Sequence, residues 1–277
     1  MNQLTLNCSG KLLDVSKPVV MGILNITPDS FYDGGKYLKE KDWLIKTEQM
    51  LREGAAIIDI GAISTRPGAT AVSQKDEAKR LFPVLKSVRK KFPDAIISVD
   101  TSRASITKSA VELGADIIND ISAGCFDDKM FHTITAINKP YIIMHIQGSP
   151  ANMQKNPVYE DVLRDIIKFF SEKINKLKNL GINDIIIDPG FGFGKTVEHN
   201  YRLISRLEMF RIFGLPMLVG VSRKSMINKV LKINPADALN GTTVLNTIAI
   251  LKGANILRVH DVKEAVQTIK IINEIKC

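Results

Sequence analysis

The sequence predicts a single (β/α)8 barrel of the α/β class, and three observations carry that expectation. Eight short β-rich runs are almost continuously apolar, helix-period stretches lie between them, and polar or charged residues stand at the C-terminal end of each run. With 277 residues and no composition break, the expectation is one domain over 1–277, with its core at about 17–275.

The runs are VVMGILNI (19–26), AIIDIGA (56–62), AIISVD (95–100), DIINDIS (116–122), YIIMHI (141–146), DIIIDPG (184–190), MLVGVS (217–222) and NILRVHDV (255–262). They are rich in Ile and Val without strict alternation, as expected of strands covered on both faces. Between them, EKDWLIKTEQMLREG (40–54) and YEDVLRDIIKFFSEKINKLKNLG (159–181) show helical periodicity, and glycines at 54, 114, 181 and 253 stand where helices should stop. A doubly wound sheet is the alternative, but eight strand–helix units favour closure.

In chain order the strand ends carry Asn25, Ser64-Thr65-Arg66, Asp100, Asn119, His145, Asp188, Ser222-Arg223-Lys224, and Arg258 with His260. One such residue is usually a helix cap. Eight sets converge on one barrel face, where barrel enzymes keep their chemistry, and imply an enzyme with a polar, anion-tolerant ligand.

The net charge is +9, yet 27 of the 38 basic residues are lysines spread along helical stretches, and aromatics make up only 6% of the chain. A solvated lysine-rich surface explains this better than nucleic-acid binding. Three cysteines are too few and too scattered for a disulfide framework, and no run is long enough to span a membrane. The N-terminus lacks a signal-peptide pattern, so a reducing cytoplasm is expected.

GFGFGKT (190–196) invites a phosphate-loop reading, but Pro189 occupies the slot where that motif needs its first glycine, and Lys195 takes the last glycine slot of GxGxxG. A glycine-rich turn presenting Phe193 over a site fits better. Asp188, Asn119 and Lys224 offer an acceptor, an amide and a cation, a trio suited to a guanine-like or pterin-like amino-pyrimidinone edge. Arg258, His260 and Asn25 fall on adjoining strands, in the quadrant where barrels commonly capture phosphate. The four histidines lack zinc spacing, so any metal is expected to be Mg²⁺ held largely by diphosphate oxygens. Two loops, 25–36 and 64–69, carry Asp33 and Arg66 and read as lids over the mouth; plain connecting turns are the alternative.

Taken together, MGILNITPDSFYDGG, DIGAISTRPGA, SVDTSR, INDISAG, MHIQGSPANMQ, DPGFGFGKTVEHN, GVSRKS and GTTVLNTIAILKGANILRVHDV resemble, in order from residue 21 to 262, the dihydropteroate synthase family of folate biosynthesis. The resemblance implies condensation of 4-aminobenzoate with 7,8-dihydropterin-6-ylmethyl diphosphate, giving 7,8-dihydropteroate and pyrophosphate, usually by a homodimer and with sulfonamides as inhibitors. It implies that Asp100, Asn119, Asp188 and Lys224 hold the pterin, with Arg258 stacking on the ring. Asn25, Arg258 and His260 would hold the diphosphate, with Mg²⁺ at Asn25. It sets 4-aminobenzoate against Thr65, Arg66, Pro67, Phe193, Lys224 and Ser225, with Phe31 and Asp33 on the closing first loop. Asp33, Asp100, Lys224 and Arg258 are the residues expected to take part in catalysis. Ala62-Ile63, Ile146, Ala123 and Cys125 depart from the family's usual pattern without removing any of these residues. Two rivals share the fold: a pterin-binding methyltransferase barrel serving a corrinoid protein, and a noncatalytic pterin-binding barrel. The segments STRPG, SRKS and RVHD point away from the first, and Asp33 with Arg66 from the second.

Overall fold

A computed structural model describes residues 4–26, 36–64, 68 and 72–275. The chain opens with a hairpin, β1 (Thr5–Cys8) and β2 (Lys11–Asp14), and then enters the barrel. Its strands are β3 (Val19–Asn25), β4 (Ile57–Gly61), β5 (Ile96–Asp100), β6 (Ile117–Asp120), β7 (Tyr141–Met144), β8 (Ile185–Asp188), β9 (Leu218–Val219) and β10 (Ile256–Val259). All are parallel to their neighbours, in the order β8-β7-β6-β5-β4-β3-β10-β9. A parallel bridge from Ile187 to Met217 and a bond from the Ile187 N–H to the Pro216 carbonyl, 3.0 Å, join β8 to β9 and close the ring. The eight expected strands are the eight observed.

Helices alternate with the strands: α1 (Lys36–Glu53), α2 (Gln74–Lys91), α3 (Ala104–Glu112), α4 (Met130–Ile137), α5 (Val162–Asn179), α6 (Val197–Ser205), α7 (Ser225–Leu231), α8 (Leu239–Leu251) and α9 (Val262–Ile275). A 3₁₀ segment, Leu207–Phe213, follows α6. Side-chain oxygens start several of them: Ser73 accepts the Asp76 N–H before α2, and Asp161 accepts those of Leu163 and Arg164 before α5. The helices α1, α3, α5 and α8 end within two residues of the four glycines marked as stops.

The period of two along each strand divides the apolar residues between two cores. Val20, Ile58, Ile97, Ile118, Ile143, Val219 and Leu257 pack outward under the helices. Met21, Ile57, Ile117, Ile142, Ile186, Leu218 and Ile256 fill the bottom of the barrel. The hairpin plugs that end, with Leu6, Cys8 and Val15 buried in the same cluster. It also ties itself down, the Asn7 N–H donating to Asp184 Oδ2 at 3.0 Å and the Val15 carbonyl accepting from Asn255 Nδ2 at 2.8 Å.

Two steps further along four of the strands, the inward positions turn polar. Ile57 gives way to Asp59, Ile117 to Asn119, Ile186 to Asp188 and Ile256 to Arg258. The apolar floor and the polar mouth are therefore consequences of one alternation. The register then sets Asn25, Gly61, Asp100 and Asn119 side by side on four successive strands.

Candidate active site

Arg258 is the electrostatic centre of the mouth. Its Nε donates to Asp59 Oδ2 at 2.7 Å and its Nη2 to Asp100 Oδ2 at 2.9 Å. Asn119 Nδ2 donates to the same Asp59 oxygen at 3.1 Å. One guanidinium thus braces two carboxylates from β4 and β5, with the β6 amide joined to the group. Burial pushes the Asp100 carboxyl up to about 7, against the downward pull of Arg258 and with a further push from Asp59.

Gly61 lies between Asn25 and Asp100. A Cβ built there would stand 3.6 Å from Asn25 Oδ1 and 3.7 Å from Asp100 Oδ2, so the missing side chain leaves these two oxygens facing a common space.

Asp188 ends β8, and its Oδ1 accepts the Gly190 N–H at 2.8 Å. Burial raises its pKa, while Lys224, the Gly190 N–H, Arg258 and Lys195 pull it back. Lys224 precedes α7; its Nζ donates to the Phe191 carbonyl and lies 4.5 Å from the centre of the Phe193 ring. Burial lowers its pKa to about 8, with Asp188 favouring the cation and Arg258 opposing it. Ser225 opens α7, whose first turn has no side-chain cap. His260 ends the β10 quadrant, its Nδ1 3.0 Å from Ser222 Oγ and its backbone N–H donating to the same hydroxyl at 3.3 Å.

The structure therefore gathers Asn25, Asp100, Asn119, Asp188, Phe193, Lys224, Ser225, Arg258 and His260 at the C-terminal rim of one barrel. Phe31, Asp33, Thr65, Arg66 and Pro67 lie outside the described residues. Two of the strand-end residues serve the frame instead. Arg223 pairs with Asp261 through Nε at 2.9 Å and Nη2 at 2.7 Å, and its Nη1 donates to the carbonyls of Pro235 and Ala236. His145 faces Lys195 and packs edge-on against Phe169, with ring centres 5.0 Å apart.

Asp59 is the residue that strand-end reasoning passes over. Its sequence signal is a carboxylate in the middle of an apolar strand, Ile57-Ile58-Asp59-Ile60, fully buried here and affordable only beside a cation.

A family described as pterin binding enzyme matches residues 21–260. The dihydropteroate synthase of Escherichia coli is 43% identical over 265 residues, covering 95% of this chain and 93% of the relative. That of Haemophilus influenzae is 45% identical over 268 residues, covering 96% and 97%. Among solved structures, Yersinia pestis dihydropteroate synthase in a sulfonamide drug complex superposes with a TM-score of 0.92 at 42% identity, covering 99% of each chain. The Xanthomonas albilineans enzyme with 4-aminobenzoic acid gives 0.93 at 34% identity, covering 100% of this chain and 99% of the other.

Proposed function

The chain belongs to the pterin-binding enzymes, in the dihydropteroate synthase family, and from that premise we propose how its rim residues divide the work. The reaction joins 4-aminobenzoate to 7,8-dihydropterin-6-ylmethyl diphosphate and releases pyrophosphate. The observation that carries the assignment is the Asp59–Arg258–Asp100 brace beside Asp188 and Lys224: alternating charges in a buried mouth, ready for a flat donor–acceptor ring and an anionic leaving group.

Asp188 and Asp100 accept the N–H groups of the pterin, Asn119 supplies its amide, and Lys224 donates to the ring carbonyl. Arg258 lies across the ring and, with Asn25 and His260, holds the diphosphate. Departure of that diphosphate leaves positive charge spread over the dihydropterin. Asp100 and Asp188 stabilise this charge electrostatically in a water-poor site. The arylamine is neutral and nucleophilic near pH 7, so the site needs no strong general base. Phe193 offers the arylamine a face, and the N-terminus of α7 with Ser225 meets its carboxylate. Phe31, Asp33, Thr65, Arg66 and Pro67 belong to the same proposal as the cover over this half.

Mg²⁺ fits the residues present: the amide oxygen of Asn25 is a hard donor beside the Asp100 carboxylate, across the space that Gly61 leaves. Among the described residues no group of three or more His, Cys, Asp or Glu could hold a metal alone, so Asn25 would hold it together with oxygens of the diphosphate. When bound, Mg²⁺ supplies neutralisation of the leaving group.

The pH dependence of pterin binding tests the site assignments. With 6-hydroxymethyl-7,8-dihydropterin, which carries no phosphate to titrate, affinity should be highest between about pH 7 and about pH 8. Below that range Asp100 takes up a proton and loses its charge, leaving a weaker acceptor; above it Lys224 loses its proton and its charge. Calorimetric titration checks this, and affinity that stays flat from pH 6 to 9 contradicts it.

The assembly belongs to the same proposal. Met209 and Ile212 of the 3₁₀ segment, Val230 and Leu231 of α7, and Val244 and Leu251 of α8 are all exposed. The α8 sequence LNGTTVLNTIAIL is apolar on more than its core face, which suits burial against a second copy of the chain. Sedimentation at twice the chain mass of 30.7 kDa is the check. No helix among the described residues is long and apolar enough to cross a membrane. A cytoplasmic location completes the proposal, in keeping with the free thiols Cys8 and Cys125.

A further inference from the structure

The segment Gly190–Lys195 holds a buried cation that the division of roles above leaves unused. Lys195 is 2% exposed. Its Nζ donates to the carbonyls of Gly190 at 2.9 Å, Phe193 at 3.0 Å and His145 at 3.3 Å, and lies 3.0 Å from His145 Nδ1. Burial pushes the Lys195 amine well below its ordinary pKa, with Asp188 favouring the cation and Lys224 opposing it; as an ammonium it has three protons, on which four acceptors converge. Burial and the lysine itself hold the His145 pKa down to about 2, so the ring is neutral and its Nδ1 accepts. No acceptor in the set is a ligand position: the lysine bonds inward, to the chain around it.

The loop lies directly against the 145–147 segment. Gly190 and Gly194 have φ of 72° and 62°, and a Cβ on either would collide with the carbonyl of His145 or Gln147 respectively. Tethers from three other places complete it. Gln154 Nε2 donates to the Gly192 carbonyl at 2.6 Å and the Tyr159 hydroxyl to that of Gly194 at 2.7 Å, while the Gly192 N–H donates to Asn200 Oδ1 at 2.7 Å. What the loop presents to the site is the Phe191 carbonyl, which seats Lys224, and the Phe193 ring beneath the Lys224 ammonium.

We propose that Lys195 is the positioning residue for the arylamine half of the site, its ammonium gathering the His145, Gly190 and Phe193 carbonyls so that Phe193 and the seat of Lys224 are set before substrate arrives. The proposal rests on the reading of Phe193 and Lys224 as arylamine contacts. Pre-setting such a face lowers the ordering cost of binding, and its loss should appear in KM for the arylamine more than in pterin affinity.

The test compares Lys195→Met, which removes the ammonium and keeps an apolar stem, with Tyr159→Phe, which removes one loop tether and keeps its ring. Lys195→Met should raise the 4-aminobenzoate KM about tenfold or more, as expected for lost charge-assisted bonds, with pterin affinity changed less than about threefold. Tyr159→Phe should move KM the same way by less, and it decides the matter if Lys195→Met does not fold. Amide exchange at Gly192 and Phe193 should quicken in either variant. Unchanged exchange, or equal losses of pterin affinity and arylamine KM, would overturn the proposal. Absence of arylamine-dependent turnover in the unaltered chain would overturn the functional reading instead, because the exchange result does not depend on it.

Discussion

Replacing Arg258 with Met should cost about 3–5 kcal/mol of stability, the usual consequence of removing one partner from a buried ion pair. The size follows from what remains: Asp59, with its side chain fully buried, and Asp100, 10% exposed, would face each other without the cation between them. The deficit has a definite pH sign. Without Arg258 the Asp100 carboxyl, already raised by burial and held down by that guanidinium, would titrate higher still in the folded chain than in the unfolded one. The Asp100 part of the penalty is therefore fully present above its raised folded value and disappears below its unfolded one, near 4. Urea unfolding at pH 8 and at pH 5 should show the larger deficit at pH 8. Adding Asp59→Asn to Arg258→Met should recover part of the stability by removing one stranded charge. Turnover should stay about 10²–10³-fold down in both variants, because the diphosphate has lost its guanidinium. A stable Arg258→Met protein with ordinary turnover would show that the brace is ornamental.

Lys224→Ala should weaken pterin binding about 10–100-fold and lower turnover at least as much, in line with losing a charge-assisted hydrogen bond. The lysine is tied to both halves of the site, by its bond to the Phe191 carbonyl and its place over the Phe193 ring. It is also the cation that most strongly draws Asp188 toward its ionised form, so the carboxyl beneath should become harder to ionise in the variant. Pterin titrations at pH 6.5 and pH 8 should then show the larger loss at pH 6.5. A variant with normal affinity and rate would reduce Lys224 to a loop lysine with no part in binding.

The residues differ in how openly the sequence declares them. The eight barrel strands are legible because burial on both faces leaves near-continuous Ile and Val runs, and the rim residues because each ends such a run. The hairpin is not, since Thr5–Cys8 and Lys11–Asp14 are four-residue strands whose apolar partners, Met21, Ile57 and Ile186 among them, lie far along the chain. Asp59 hides inside an apolar run, and only the arrival of Arg258 from 199 residues away explains it. For Arg223, His145 and Lys195 the chemistry of the side chain suits either a ligand or a staple. What decides between them is which way the chain folds around each: Asp261 for Arg223, and three backbone carbonyls for Lys195. The rejection of a phosphate loop at 190–196 stands for the same reason, its lysine being consumed by the loop itself.

On the proposed mechanism this mouth ionises a pterinylmethyl diphosphate and hands the methylene to an arylamine. The most direct test is pyrophosphate release from 7,8-dihydropterin-6-ylmethyl diphosphate, followed with and without 4-aminobenzoate and with and without a Mg²⁺ chelator. Release should depend on both the arylamine and Mg²⁺, with one dihydropteroate formed per pyrophosphate. Tight pterin binding without any release, under every one of these conditions, would contradict it and leave a noncatalytic or methyl-transferring barrel in its place.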